Sequence, residues 1–449
     1  MPISHSGSAD PTPGADASRP QLGATGATGA PDAPQVPAPR ASRLDYRATI
    51  AGCYIGYVTQ AIVNNLGPLL FLIWHESFGV SFSALGAVVA VNFGMQLLVD
   101  LVAPKAIDAV GYRISMVVAH IFAAAGLVCM GVLPFVLPNP FVGLIAAMVV
   151  CAVGGGLLEV MVSPVVEAAP TQNKAFHMSL LHSFYCWGYL AVVLLSTLGF
   201  VLLGHDRWPV LCFAWAIVPL LNAVLLWFVP YFSLVEDGQA MRYIDLFRSK
   251  VFWVLVAMMP AAGASEQAMN QWASAFAQDG LGLDKTVGDL TGPAFFAAMM
   301  GIARVTLAPR ATVANIRRII TVSLVLCVVA YALAAFSPLA WMGLVALGLC
   351  GFSVGILWPG TFTAASSLFP RGGTALFALL ALGGDAGCAL GPAVVGAAAD
   401  RFGSLSSALG LGLVFPVIML VGLVLLRRAP SARVPSVDAD AAGAGASDA

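Results

Sequence analysis

The sequence predicts an all-α integral membrane protein of twelve transmembrane helices in two six-helix halves. Three observations predict it. Of 449 residues, 59% are hydrophobic and 10% charged, against about 25% charged in a soluble domain. The apolar residues fall in long continuous runs, and a helix needs ~20 such residues to cross a bilayer, whereas a membrane barrel shows ~10-residue alternating segments. Lys and Arg gather in alternate connections. So few charges exclude a soluble α/β enzyme and a disordered scaffold. A net charge of −1 gives no bulk field toward nucleic acid or anionic lipid.

Residues 1–44 and 429–449 are Ala/Pro/Gly/Ser-rich tails without apolar periodicity, the composition of disordered segments. The first lacks the basic region and apolar run of a secretory signal. The stretch 45–428 holds about 12 spans at roughly 32 residues per helix and loop. Runs bounded by charge, Pro or Gly put them at 48–74, 83–103, 114–134, 141–165, 177–203, 209–232, 250–276, 290–308, 319–337, 339–363, 374–399 and 405–427. With both termini cytoplasmic, 18 Lys and Arg fall inside and 3, namely Arg207, Lys285 and Arg401, fall outside, as the positive-inside rule requires. The longest polar connection, 233–249, separates a first half, 45–232, from a second, 250–428. The halves are weakly self-similar: Gly156-Leu157-Leu158-Glu159 faces Gly355-Ile356-Leu357-Trp358 at an offset of 199. The eight cysteines lie at most one per apolar segment, with no paired spacing and no Cys/His cluster. Buried small hydrophobes are expected, not a disulfide framework or a metal site.

Along the chain, polar residues inside spans carry the information. Span one offers Gln60 and Asn64 at i, i+4, with Asn65 beside them and Pro68 after; span two offers Asn92 and Gln96. Each pair shares a helix face. Amides suit neutral hydroxylated ligands better than ions, and polar packing between helices is the alternative. Span four carries Glu159, Ser163 and Glu167 on one face, with Pro164 among them. A membrane carboxylate costs roughly 2.5–3.5 kcal/mol to insert, so Glu159 faces the bundle interior or a water-filled cavity. Such a group can hold a proton and release it when water enters, as proton coupling requires; pairing with a base such as Lys174 is the alternative. Glu167 is expected at the membrane edge, solvated or paired with Lys174.

Span five presents His182, Tyr185, Cys186 and Tyr189 on one face, for cavity lining or, at His182, proton transfer. Span seven presents Glu266, Asn270 and Ser274 with Trp272 nearby. A carboxylate, an amide and an indole fit a polyol; inter-helix hydrogen bonding and an interfacial Trp are the alternatives. Trp358 precedes Pro359 in span ten at the repeat position of Glu159, placed for stacking in a cavity. Span eleven holds Asp385, for substrate contact or a bond to a neighbouring helix. Its Gly383, Gly387 and Gly391 are spaced for close helix packing.

Over 45–428 the chain resembles the major facilitator superfamily. The loop after span two, Asp100 to Arg113, is similar to that superfamily's cytoplasmic loop in the spacing of Asp108, Gly111 and Arg113, with Ala109 where a base is usual. The resemblance implies a gating role for those three residues. Within the superfamily the sequence most resembles the fucose-permease-like sugar transporters. Three stretches carry this: Gly154-Gly155-Gly156 to Glu159 and Pro164; His182-Ser183-Phe184-Tyr185-Cys186-Trp187-Gly188; and Gly383-Gly384-Asp385 to Gly391-Pro392, Gly396 and Asp400. The family's span-one acid before a proline is absent here, where Asn64-Asn65 precede Pro68.

The expected function is secondary transport of a small polar solute, sugar or polyol, by alternating access with proton coupling. Glu159 is then the proton site, and Gln60, Asn64, Asn65, Asn92, Gln96, His182, Tyr185, Glu266, Asn270, Trp358 and Asp385 the solute-binding set. A drug or metabolite exporter working as a proton antiporter, and an uncoupled facilitator, are the alternatives. No phosphate-binding loop is present, so ATP is not the energy source. No nucleophile–base or metal constellation is visible, so an enzyme, a cofactor and a metal are not expected. The expected partners are solute, protons and the lipid of a cell membrane, inner or plasma. The fold needs no second copy, so a monomer is expected.

Overall fold

The structure is a computed structural model that describes residues 44–171, 174–232, 243–307, 310, 315–337, 339–369 and 373–428. Its elements are helices. The first set is α1 (Tyr46–Leu69), α2 (Phe71–Phe78), α3 (Phe82–Val110), α4 (Tyr112–Val136), α5 (Pro140–Ala168), α6 (Lys174–Leu203) and α7 (Trp208–Phe228). A short α8 (Tyr243–Phe247) leads into the second set: α9 (Lys250–Asn270), α10 (Ala273–Ala275), α11 (Lys285–Asp289), α12 (Phe295–Leu307), α13 (Ile316–Phe336), α14 (Ala340–Val354), α15 (Leu357–Leu368), α16 (Gly373–Phe402), α17 (Leu405–Gly412) and α18 (Val414–Arg428).

Ten helical stretches among the described residues are long and apolar enough to cross a membrane, and eleven if the bent pair α1–α2 is one span. This is one fewer than the twelve expected from the runs. The predicted span 250–276 forms a helix, α9, but Ser265, Glu266, Gln267 and Asn270 in its far half take it out of that group. The outer faces carry Leu195, Leu202, Leu221, Trp227, Phe336 and Val421, all exposed, a surface suited to hydrocarbon. Trp74, Trp272, Tyr189, Phe71, Phe276 and Phe296 are fully buried. All eight cysteines are free, and seven are buried.

Several expected continuous spans are broken, and prolines explain most breaks. A proline lacks the N–H that would bond back along the helix. Span one bends by 44° between α1 and α2, two residues after Pro68, where Leu70 N–H turns back to the Gly67 carbonyl at 2.8 Å. Span eight starts earlier than expected, as α11 and a π turn over Leu290–Ala294 that contains Pro293. The predicted span ten breaks between α14 and α15 ahead of Pro359, and span twelve between α17 and α18 ahead of Pro416. Span seven ends as α9, α10 and a π turn over Phe276–Gly280.

Within the first set, α4 packs on α5 and α7, and α1 on α6, α5 and α7. Within the second, α9 packs on α16 and α18, and α14 on α12 and α13. Across the sets, α3 lies along α16, α6 along α12, and α1 touches α10. The glycine stripe of α16 allows its approach to α9: a methyl at Gly387 would overlap the Pro260 carbonyl, and one at Gly391 would press on Ala264.

Candidate functional site

A chain of side-chain amides runs through the bundle between two carboxylates. At one end, Gln60 Nε2 donates to Glu159 Oε2 at 2.7 Å. Gln60 Nε2 also lies 3.5 Å from Gln96 Oε1. Gln96 and Asn92 both donate to Asn64 Oδ1 at 3.0 Å. Gln271 Nε2 donates to the Asn64 carbonyl at 3.2 Å and to Gln267 Oε1 at 2.9 Å. Asn270 Nδ2 donates to Gln267 Oε1 at 3.1 Å and to Asn65 Oδ1 at 3.2 Å, and Asn65 Nδ2 donates to the Tyr185 hydroxyl at 3.3 Å. Gln267 Nε2 reaches Glu266 Oε1 at 3.2 Å and closes the other end.

The local sequence explains the register. Asn64 and Asn65 sit on α1 one turn beyond Gln60, just before Pro68 and the bend. Asn92 and Gln96 are one turn apart on α3. Glu266, Gln267, Asn270 and Gln271 cover the last turn of α9, which ends there. The network thus joins α1, α3 and α5 of the first set to α9 of the second. It is buried, with Gln96 at 0%, Asn65 at 1% and Asn270 at 2% exposure. Yet Gln60 Oε1, Asn92 Oδ1 and Asn270 Oδ1 have no hydrogen-bond partner. Buried acceptors are nearly always satisfied, and an orphan costs about 1–3 kcal/mol. Three in one network make a region that lacks donors.

A second group of acids lies beside Glu159. The carboxyls of Asp100, on α3, and Asp385, on α16, lie beside each other, and Glu159 is close enough to interact electrostatically with both. Asp100 Oδ1 and Asp385 Oδ2 have no hydrogen-bond partner. Trp358 packs its ring against Gly384, beside Asp385, at a position where any side chain would clash. Its ring centroid is 6.2 Å from that of Phe362.

Near the amides, Tyr57 and His182 face each other with ring centroids 5.4 Å apart. The Tyr57 hydroxyl is 3.3 Å from Ser163 Oγ. Arg304, on α12, reaches across to this group and donates to the His182 carbonyl at 3.2 Å.

The structure therefore brings together Gln60, Asn64, Asn65, Asn92, Gln96, Glu159, Tyr185, Glu266 and Asn270, and places His182, Trp358 and Asp385 next to that group. Ser274 is not in it: its hydroxyl donates to Asp289. Trp272 is not a membrane-edge anchor. It is fully buried, donates to the Pro392 carbonyl at 3.0 Å and packs on Phe71 and Phe82. Asp100, Arg304, Tyr57, Gln267 and Gln271 were not among the expected site residues. Gln267 and Gln271 flank Glu266 and Asn270 in sequence, so a full reading of that turn would have found them. Asp100 and Arg304 lie near span ends, where charge is ordinarily read as solvated.

An apolar groove of about 400 Å³ lies elsewhere, lined by Val329, Ala332, Leu333, Phe336, Ser337 and Met342. It offers a polar solute almost nothing to bond to, so the site is assigned to the interior network.

A family model, the Major Facilitator Superfamily, matches residues 53–376, most of the chain. The protein belongs to the major facilitator superfamily. It is a multi-pass membrane transporter and not an enzyme. Solved structures share its fold. A crystal structure of the nucleoside transporter NupG aligns with TM-score 0.65 at 13% identity, covering 86% of this chain and 99% of NupG. A variant of the E. coli fucose:proton symporter FucP aligns with TM-score 0.59 at 16% identity, covering 85% and 99%. A bacterial homolog to the human lysosomal transporter Spinster, inward-facing and unoccupied, aligns with TM-score 0.67 at 15% identity, covering 85% and 97%. A comparison with curated proteins finds no match.

At the end where α1 stops, the two sets are fastened together. Lys285, expected in an exposed loop, is 9% exposed. It donates to the Leu69 carbonyl at 2.7 Å, pairs with Asp289 at 2.8 Å and lies over the Phe200 ring. Asp400 on α16 accepts from the N–H groups of Phe82 and Ser83 at 3.1 and 2.8 Å, capping α3 from the other set. At the opposite end, Gly111 joins α3 to α4 with φ of +89°, a conformation that favours glycine. It directs Arg113 onto the Trp227 carbonyl and the Tyr231 ring. The Asp108 side chain lies outside the described residues, as does that of Lys174.

Proposed function

We propose that this transporter moves a small hydroxylated solute, of the sugar or polyol kind, with proton coupling at Glu159. The single observation that carries the reading is the amide network with its unpartnered acceptors Gln60 Oε1, Asn92 Oδ1 and Asn270 Oδ1. Hydroxyl groups supply the donors those acceptors lack. Glu159 fits the coupling role because Gln60 ties its carboxylate to the network, so its protonation and the arrangement of the amides are linked. The neighbouring carboxyls of Asp100 and Asp385 lie close enough to Glu159 to serve as a route for proton exchange. FucP is named a fucose:proton symporter and NupG a nucleoside transporter, both moving hydroxylated solutes by those names.

Taking the Lys- and Arg-rich end as cytoplasmic, the Lys285–Asp289 and Asp400 contacts close the outer side. The gating residues of the Asp108–Arg113 turn would move on the inner side, and the protein would act as a monomer with both termini in the cytoplasm of a cell membrane.

The test is reconstitution into liposomes, with solid-supported-membrane currents and solute uptake measured for hexoses, pentoses, polyols and their acids. At least one of these should be accumulated against its gradient when a pH gradient is imposed. In Glu159→Gln, that accumulation should fall at least ~100-fold, as for a lost transition-specific group, while solute exchange persists. Accumulation retained in Glu159→Gln would reject it as the proton site, and silence across the whole panel would reject the hydroxylated solute.

A further inference from the structure

Arg304 is a partly buried cation facing the bundle interior, and among the described residues it has no carboxylate in ion-pair contact. It lies one turn after Gly301, where α12 comes close to Cys186 and Trp187 of α6. That approach carries the guanidinium to the His182 carbonyl at 3.2 Å. Its other contact is a weak one, to Met300 Sδ at 3.9 Å. The Nε–H is buried and without a partner. Among the described residues no carboxylate lies within 4 Å of it; Lys285–Asp289 is an ion pair elsewhere. Glu266, the nearest acid, is engaged by Gln267 at 3.2 Å. The groups that face Arg304 are Tyr57 from α1, His182, Tyr185 and Cys186 from α6, and Glu266 from α9.

A guanidinium whose Nε–H is shut off from water without a partner carries a desolvation cost, and the cost falls when a planar anion accepts two of its N–H groups in parallel. Arg presents a fork of five donors for that purpose. The neighbours of this fork, two phenols and an imidazole beside the amide network, bond hydroxyls. We infer that Arg304 holds a carboxylate of the transported solute, so that the solute is a hydroxylated acid and not a neutral polyol. A carboxylate matches one guanidinium charge for charge. A phosphate monoester, at about −1.5 to −2, leaves excess charge near Glu266. The inference rests on the hydroxylated-solute reading above and narrows it.

The experiment is calorimetric titration of the purified protein in nanodiscs with matched sets: neutral hexoses and polyols, their uronic and aldonic acids, and their phosphates. The acid of at least one set should bind roughly 30-fold or more tighter than its neutral parent, the size expected for a buried charge pair. Arg304→Gln should erase that preference, weakening the acid by far more than the neutral parent, and Arg304→Lys should restore part of it. Thermal melting of each variant separates loss of fold from loss of recognition. Equal binding of acid and neutral parent overturns the inference and leaves the hydroxylated-solute reading standing. So does a preference that survives in Arg304→Gln. A well-folded Arg304→Gln that loses neutral and acid solutes alike also overturns it and makes Arg304 a fastener between α6 and α12. Tighter binding of phosphates overturns the choice of carboxylate. Binding of no member of any set overturns both readings.

Discussion

The bundle holds two polar regions made from similar residue types and satisfied to different degrees, one at an end and one in the middle. At the fastened end, Lys285 has Asp289 and the Leu69 carbonyl, Asp400 has two backbone N–H groups, and Trp272 has the Pro392 carbonyl. In the middle, Glu159, Glu266 and their amides are bonded to one another, yet three amide oxygens, two carboxyl oxygens and the Arg304 Nε–H remain without partners. Polar groups whose work is to hold helices together are expected to be satisfied in the folded chain. Groups that await a ligand are not. The contrast is one of degree, since Trp74 Nε1 near the fastened end and Asn222 Oδ1 between α1 and α7 also lack partners; what marks the middle is that its unpartnered atoms cluster around one network.

The largest expected effect that tests this contrast lies at the fastened end. Lys285→Met leaves the Asp289 carboxylate, 0% exposed, with Ser274 as its remaining side-chain partner. Breaking a buried pair in this way costs about 3–5 kcal/mol, read as a large fall in melting temperature. The double variant Lys285→Met with Asp289→Leu should recover most of the loss, because neither charge is then stranded. Solute selectivity should be the same in all three proteins. A change in selectivity would place Lys285 in the binding region and erase the distinction.

Much of this contrast was legible in the sequence, and what was not has a physical reason. The helices could be read because every membrane-crossing segment must satisfy its own backbone inside lipid, which forces long apolar runs. Gln60, Asn64, Asn65, Asn92, Gln96, Glu159, Glu266 and Asn270 could be read because a polar side chain inside such a run has few reasons to be there. Breaks at Leu70 and over Leu290–Ala294 were missed because a proline in a span signals a bend without saying where the chain resumes. The interior contacts of Lys285, Asp100 and Arg304 were not foreseen, for a shared reason. A charge near the end of an apolar run looks solvated in one dimension, and the helix from the other set that covers it is hundreds of residues away in sequence. Asp400 shows the same limit: 317 residues separate it from Ser83, whose N–H it caps.

The next effect, in the middle region, is smaller and of another kind. Asn270→Ala removes the bonds to Asn65 and Gln267 together with the unpartnered Oδ1. If that oxygen awaits a solute hydroxyl, affinity for the transported solute should fall about tenfold, or ~1.4 kcal/mol. Melting should change by less than that, since one neutral hydrogen bond contributes about 1 kcal/mol net. Melting that drops with affinity unchanged would move Asn270 to the fastening class.

The smallest effect returns to the fastened end and shows which part of it opens first. Asp400→Ala removes the acceptor from the first turn of α3, worth about 1 kcal/mol by analogy with lost helix caps. So small a change barely moves global melting, but it acts on one junction between the two sets. The amides of Phe82 and Ser83 should exchange with deuterium roughly fivefold faster, the equivalent of that energy, while amides around Lys285 keep their protection. Faster exchange at both sites would mean that the fastened end opens as one piece. Faster exchange at Phe82 and Ser83 alone would mean that the α3–α16 edge yields before the α1–α11 edge, with Lys285 holding the closure until last.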